Sequence, residues 1–207
     1  VYFGHATPPF GAIAQTTLVP ECEVWPVPAG LADDQVIALA ISGTGALIPL
    51  EEAGIRPGDN VLILGATGPV GQIALQIARI MGAGHVVAAA RSADRLAQMV
   101  ARGWADATAQ LGTGDDEAAL KAVSNGGYDV VLDVVYGPPA EAAMRATRPG
   151  ARMMSIGVQA GPTVALSLRD LVFRSHIGVG TGQRPAAERR AAFDRLMAMA
   201  TGKGLTV

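Results

Sequence analysis

The residues best placed to do chemistry lie in "GATGPVG", positions 65–71. The stretch follows an apolar run, "NVLIL", and opens a segment in which Val70, Ile73, Ala74, Ile77, Ile80 and Met81 recur at helical spacing. A glycine turn between a strand and a helix offers unpaired amides and the positive end of the helix dipole to an anion. Gly68 lets a pyrophosphate approach the backbone, and Gly71 lets the helix pack close to the strand. The strict glycine fingerprint has Gly where this chain has Ala66, with Gly65 one place earlier. Gly65, Ala66, Thr67, Gly68, Pro69, Val70 and Gly71 are therefore the candidate anion turn. A glycine turn that holds nothing is the competing reading.

The next strand-like run, "GHVVAAA", ends at Ala90 and is followed by Arg91, Ser92 and Arg95. A dinucleotide site that takes NAD carries Asp or Glu about twenty residues past the turn, where it meets the ribose hydroxyls. No carboxylate stands at this strand tip. A guanidinium binds a 2′-phosphate bidentately, so Arg91, Ser92 and Arg95 point to NADP(H). The competing readings are a solvated Arg91, or one paired with Asp94.

Other candidates read as structural. Asp133 lies inside "VVLDVV", where a carboxylate accepts backbone hydrogen bonds near a strand end. Tyr128 and Tyr136 can in principle supply a proton, but no spacing singles out either, and the catalytic acid or base stays unassigned. Ser155 to Gly157 lacks the G-x-S-x-G spacing of a nucleophile elbow. His5, His85 and His176 have no ligand spacing among them and read as exposed or strand-end residues. No metal site is expected. Cys22 is the single cysteine, so no internal disulfide forms, and this fits a reducing compartment.

These residues need elements to hold them. The 207 residues, half of them apolar, suffice for one full domain with flanking chain. A net charge of −2 gives no electrostatic case for nucleic acid or an anionic membrane. The opening "VYFGHATPPF" is no signal peptide, and Val36 to Leu50, cut by Gly43 and Gly45, is too short to span a bilayer. The expectation is a soluble, cytoplasmic protein, bounded as a fragment by Val1 and "KGLTV". Residues 1–32 are Pro-rich and extended, unable to form a domain alone. Residues 33–207 alternate helix and strand. Asp33 and Asp34 cap a helix through "QVIALAIS", and a second helix, "ALIPLEEAG", ends near Gly54. Strands are expected at 60–66, 84–90, 105–109, 128–135, 152–158 and 175–182. Their continuous apolarity marks strands covered on both faces, hence a doubly wound, six-stranded parallel α/β sheet of the Rossmann type.

"SGTGALIPLEEAGIRPGDNVLILGATGPVGQIALQIARIMGA" resembles the medium-chain dehydrogenase/reductase superfamily, and within it the zinc-independent quinone oxidoreductase branch. The shared landmarks are a Thr before a helix, "RPGDNVL", the glycine turn and "QIARIMG". The resemblance implies that residues 1–32 are the end of a GroES-like catalytic domain and its linker. It implies that Thr44 contacts the nicotinamide end of the cofactor. It places Val134, Val135, Tyr136 and Gly157 along the adenosine and nicotinamide-ribose groove, and Gly180 to Gly182 near the nicotinamide. It further implies a homodimer through the sixth strand. Zinc ligands of related alcohol dehydrogenases fall partly upstream and partly before Thr44, where "VIALAIS" has no Cys, His or Asp. The implied activity is hydride transfer from NADPH to a quinone or an α,β-unsaturated carbonyl, with solvent supplying the proton. A zinc-type alcohol dehydrogenase, an enoyl reductase and a non-catalytic nucleotide-binding module remain alternatives.

Overall fold

The computed structural model describes residues 1–206. Near the N-terminus, β1 (Tyr2–Phe3) pairs antiparallel with β2 (Val24–Trp25). Then follow α1 (Asp33–Ala53), β3 (Asn60–Leu64), α2 (Pro69–Ile80), β4 (His85–Ala90), α3 (Ala93–Ala101) and β5 (Ala107–Gln110). The second half holds α4 (Asp116–Ala122), β6 (Tyr128–Asp133), α5 (Pro138–Arg145), β7 (Thr147–Ser155), α6 (Leu168–Leu171), β8 (Ser175–Gly178) and α7 (Ala186–Lys203). The last six strands form one parallel sheet in the order β5-β4-β3-β6-β7-β8. The chain runs outward from β3 in one direction, then returns to β6 and runs outward in the other. The reversal opens a crevice outside the carboxyl ends of β3 and β6, where ligands of such sheets bind.

Strand alternation builds two cores. Val61, Ile63, Val86, Ala88, Val130, Leu132 and Met154 face α1, α2, α3 and α7. Leu62, Leu64, Val87, Ala89, Val131 and Met153 face α4 and α5. With both faces covered, β3 has no exposed position, which is why its sequence shows no polar alternation.

Two expectations need correcting. The two helices expected on either side of Gly43 to Gly45 are one helix of 21 residues, α1. Pro49 lies inside it, and Thr44 Oγ1 donates to the Ala40 carbonyl at 2.7 Å. Packing against α2 and α7 buries Gly45 through Leu50, and tertiary burial overrides the weak local propensity. Its N-cap is Ala32, with the Gln35 side chain accepting from the Ala32 amide; Asp33 and Asp34 sit in the first turn, near the positive end of the dipole. The strand bounds also move. β7 starts earlier than expected, at Thr147, through a register irregularity opposite Tyr128–Val130, and β8 stops at Gly178.

Residues 1–32 are docked on α7. Tyr2, Trp25 and Phe193 form an aromatic cluster with centroids 5.1–5.5 Å apart. Beside it Arg189 forks onto the Glu23 carboxylate, and that guanidinium holds the Glu23 carboxyl below its ordinary range.

Candidate functional site: a groove at the sheet's switch point

The glycine turn is built by sterics. Gly65 leaves β3 with φ +75°, a left-handed conformation, and a Cβ there would lie 2.9 Å from Val135 Cγ1. Gly71 faces the turn it must clear. A Cβ on it would stand 2.6 Å from Ala66 Cα and closer still to the Gly65 carbonyl oxygen. Gly68 is different: as the N-cap of α2 it has φ −82°, and a Cβ would meet only the Gly65 oxygen, at 3.5 Å. Space at Gly68 is thus not demanded by the protein itself, and the N-terminus of α2 is left open there.

The amides of this turn divide into used and free. Those of Gly65 and Ala66 both donate to the Ala89 carbonyl, tying the turn to β4, and the Gly68 amide donates to Gly65. Among the described residues, no backbone carbonyl outside the helix takes the amides of Thr67, Val70 or Gly71. Pro69, at the first helical position, has no N–H to leave unpaired. A helix N-terminus with open amides fits a diphosphate.

A groove of about 500 Å³ runs from this turn. Gly65, Thr67, Gly68, Pro69, Val70 and Gly71 line one end. Arg91, Ser92 and Arg95 line it at the tip of β4, as the sequence predicts. Ser92 caps α3, accepting from the Arg95 amide at 3.4 Å, and the Arg91 carbonyl accepts from Gln110 Nε2 at 3.1 Å. Among the described residues neither guanidinium is in an ion pair, and the pairing of Arg91 with Asp94 considered from the sequence does not form. Val134 and Val135 form the opposite wall.

The other candidates fall elsewhere. Ala66 is buried beneath the turn and does not line the groove; Gly65, not Ala66, supplies the tight bend. Thr44 lines a smaller cavity of about 160 Å³ with Tyr2, His5, Trp25 and Thr181. Gly157 sits against the Val134 carbonyl and lines a third cavity, of about 470 Å³, with Tyr136, Ser155, Ile156, Val158 and His176. Gly180 is exposed beyond the end of β8. Sequence reasoning missed Leu111, Gly112, Asp116, Pro139, Gln159 and Ala160, all of which line the groove. They come from the loop after β5 and the start of α4, from the first turn of α5 and from the loop after β7, and carry no local motif.

Asp133 is the structural carboxylate expected. Fully buried, it accepts from the amides of Val135 at 2.9 Å and Tyr136 at 2.8 Å, holding the wall of the groove. Its other oxygen accepts from Ser155 Oγ at 2.7 Å, and Ser155 Oγ lies 3.0 Å from His176 Nε2. The single hydroxyl proton goes to Asp133, so His176 Nε2 is the donor to Ser155. Serine stands between carboxylate and imidazole, the wrong order for an activated nucleophile, which needs the imidazole in the middle. His176 is pulled below the ordinary imidazole range by burial, opposed by the Asp133 charge. Its ring lies 5.8 Å from that of Tyr136, which itself adopts φ +61°. Tyr128 is not placed to act on a ligand. It is buried, its hydroxyl donates to the Leu120 carbonyl at 2.8 Å, and burial pushes it up. Among the described residues no group of three His, Cys, Asp or Glu side chains converges on a point.

The zinc-binding dehydrogenase family matches residues 69–199. Quinone oxidoreductase-like protein 2 from Bos taurus is 27% identical over 175 residues, 84% of this chain and 50% of that protein. Prostaglandin reductase-3 from Mus musculus is 31% identical over 152 residues, 73% of this chain and 39% of that protein. Of solved structures, the quinone oxidoreductase from Thermus thermophilus, studied also in complex with NADPH, aligns with a TM-score of 0.77 at 29% identity. The alignment covers 97% of this chain and 65% of that one. The chain thus spans about half the length of the curated relatives it matches. It belongs to the zinc-binding dehydrogenase family of the medium-chain dehydrogenase/reductase superfamily.

Proposed function

We propose that this chain is the cofactor-binding part of an NADPH-dependent oxidoreductase that reduces a quinone or an α,β-unsaturated carbonyl without zinc. The observation that carries the reading is one groove joining the open amides of the α2 N-terminus to Arg91 and Arg95, guanidiniums with no ion partner among the described residues. The amides suit the diphosphate. The guanidiniums suit a phosphate on the adenosine ribose, which brings nearly two charges and three acceptor oxygens. Once bound, the reduced nicotinamide supplies the hydride; this chain's residues hold and orient it. Val134 and Val135 give the groove an apolar wall, and Asp133 holds the backbone of Val135 and Tyr136. On this reading Thr44, Gly157 and Gly180, which lie outside the groove, belong to the nicotinamide side, where an upstream module would complete the substrate pocket. Support for the substrate class comes from relatives named for quinone and prostaglandin reduction. The absence of Cys, His or Asp in "VIALAIS" supports chemistry without zinc.

The same reading includes a homodimer in the cytoplasm. β8 is the outer strand of the sheet, and Phe173 (79% exposed) and Ile177 (47%) lie on or beside it. An unpaired edge with apolar side chains is suited to a second copy. Sedimentation of Ile177→Lys should show monomer where the parent shows dimer.

The activity is tested on the protein with its upstream module. NADPH oxidation is followed with quinones, enones, enoyl thioesters and simple aldehydes, with and without a chelator. The expected result is chelator-insensitive turnover of quinones or enones. Turnover confined to simple aldehydes and abolished by chelation contradicts it.

A further inference from the structure

Asp116 is out of place in a groove meant for phosphates. It is the first residue of α4 and lines the same groove as Arg91 and Arg95, yet forms no ion pair with either. One oxygen, Oδ1, accepts from the Gly112 amide at 2.7 Å. That bond pins the carboxylate on the wall beside Arg91, because a Cβ on Gly112 would lie 4.0 Å from Arg91 Cγ. Its second oxygen accepts from no group among the described residues. A half-buried carboxylate with a spare acceptor repels any phosphate placed against it and attracts a donor. At this end of a dinucleotide the phosphates are acceptors only, and the donors are the ribose hydroxyls and the exocyclic amine of the purine. The amine is the donor that a flat base carries, and Ala90, Leu111 and Pro139 beside Asp116 offer the apolar surface on which such a base packs.

We propose that Asp116 reads the base of the bound dinucleotide, its free carboxylate oxygen accepting from the exocyclic amine of adenine. The inference rests on the dinucleotide reading and deepens it: the groove selects an aminopurine and disfavours a purine with a keto oxygen at the same position. The keto oxygen would face the carboxylate, acceptor against acceptor, which costs affinity.

The test is a pair of direct titrations, with NADPH and with its hypoxanthine analogue, on the parent chain, Asp116→Asn and Asp116→Ala. The asparagine variant keeps an amide oxygen for the Gly112 N–H, so the loop stays held, and turns a donor toward the base. The parent should favour adenine by about tenfold, the worth of one charge-assisted hydrogen bond at a half-exposed site. Asp116→Ala should bring the two ligands within about twofold of each other, and Asp116→Asn should shift the ratio further, toward hypoxanthine. An adenine preference that is unchanged in both variants overturns the proposal. So does a base ratio that stays fixed while both variants gain affinity for NADPH over NADH, because the carboxylate would then face the ribose phosphate. A parent that binds neither ligand removes the dinucleotide reading itself; binding without base discrimination removes only the role of Asp116.

Discussion

Two regions at the carboxyl end of the sheet are held in opposite ways. At the turn after β3, backbone meets backbone: Gly71 clears the Gly65 carbonyl, and the Gly65 and Ala66 amides share the Ala89 carbonyl. At the ends of β6 and β7, side chains do the holding, through Asp133 and Ser155 with His176 of the neighbouring β8. The first arrangement admits one residue type at each critical point and does not depend on pH. The second tolerates exchange at each point, at a cost set by how many buried partners go unsatisfied, and one of its members titrates.

The largest effect is expected at Gly71. Gly71→Ala drives a methyl into the Gly65–Ala66 backbone, which cannot swing aside as a side chain can, so unfolding free energy should fall by about 3 kcal/mol, measured from urea midpoints. Gly68→Ala should cost less than about 1 kcal/mol, because its Cβ meets only ordinary contact, yet it should weaken dinucleotide binding. Equal destabilisation by the two would show that the turn is not organised around a ligand.

A middle-sized effect is expected in the second region. Ser155→Ala leaves a buried Asp133 oxygen and His176 Nε2 each without its partner, and should cost about 2 kcal/mol. Loss of order in the 134–136 wall, seen as faster amide exchange of Val135 and Tyr136, should accompany it. A stability change with no change in exchange would detach the relay from the groove.

The smallest effect is the pH dependence of His176. Its folded pKa is depressed below the unfolded value of about 6.5, so between the two the unfolded chain binds more protons than the folded one. Stability is therefore full above about pH 6.5 and falls as pH drops through that window. The loss should stay under about 1 kcal/mol because the ring is only half-buried. His176→Gln should flatten that portion of the melting-temperature profile between pH 7.5 and 5, roughly the range over which imidazole titrates. An identical profile would mean that the ring is not coupled to folding.

The same contrast explains what can be read from the chain. The turn is legible because its constraints are local. Gly65, Gly68 and Gly71 fall within seven residues, and the flanking strand and helix announce themselves by apolar pattern. Arg91, Ser92 and Arg95 are legible because one strand tip carries them. Asp133, Ser155 and His176 come from three strands, and nothing in sequence signals that their side chains share one face. Leu111, Gly112 and Asp116 reach the groove only through the crossing order of the sheet. The continuity of α1 is hidden for another reason: Gly43, Gly45 and Pro49 are genuine local breakers, overruled by the burial that α2 and α7 impose.

The most direct test of the central claim is calorimetric titration of this chain with NADPH and with NADH, in parallel with Arg91→Ala. Binding of NADPH should be about ten- to a hundredfold tighter than that of NADH, and the substitution should erase most of the difference while leaving NADH nearly unchanged. Equal affinity for the two dinucleotides, indifferent to Arg91, would contradict the account.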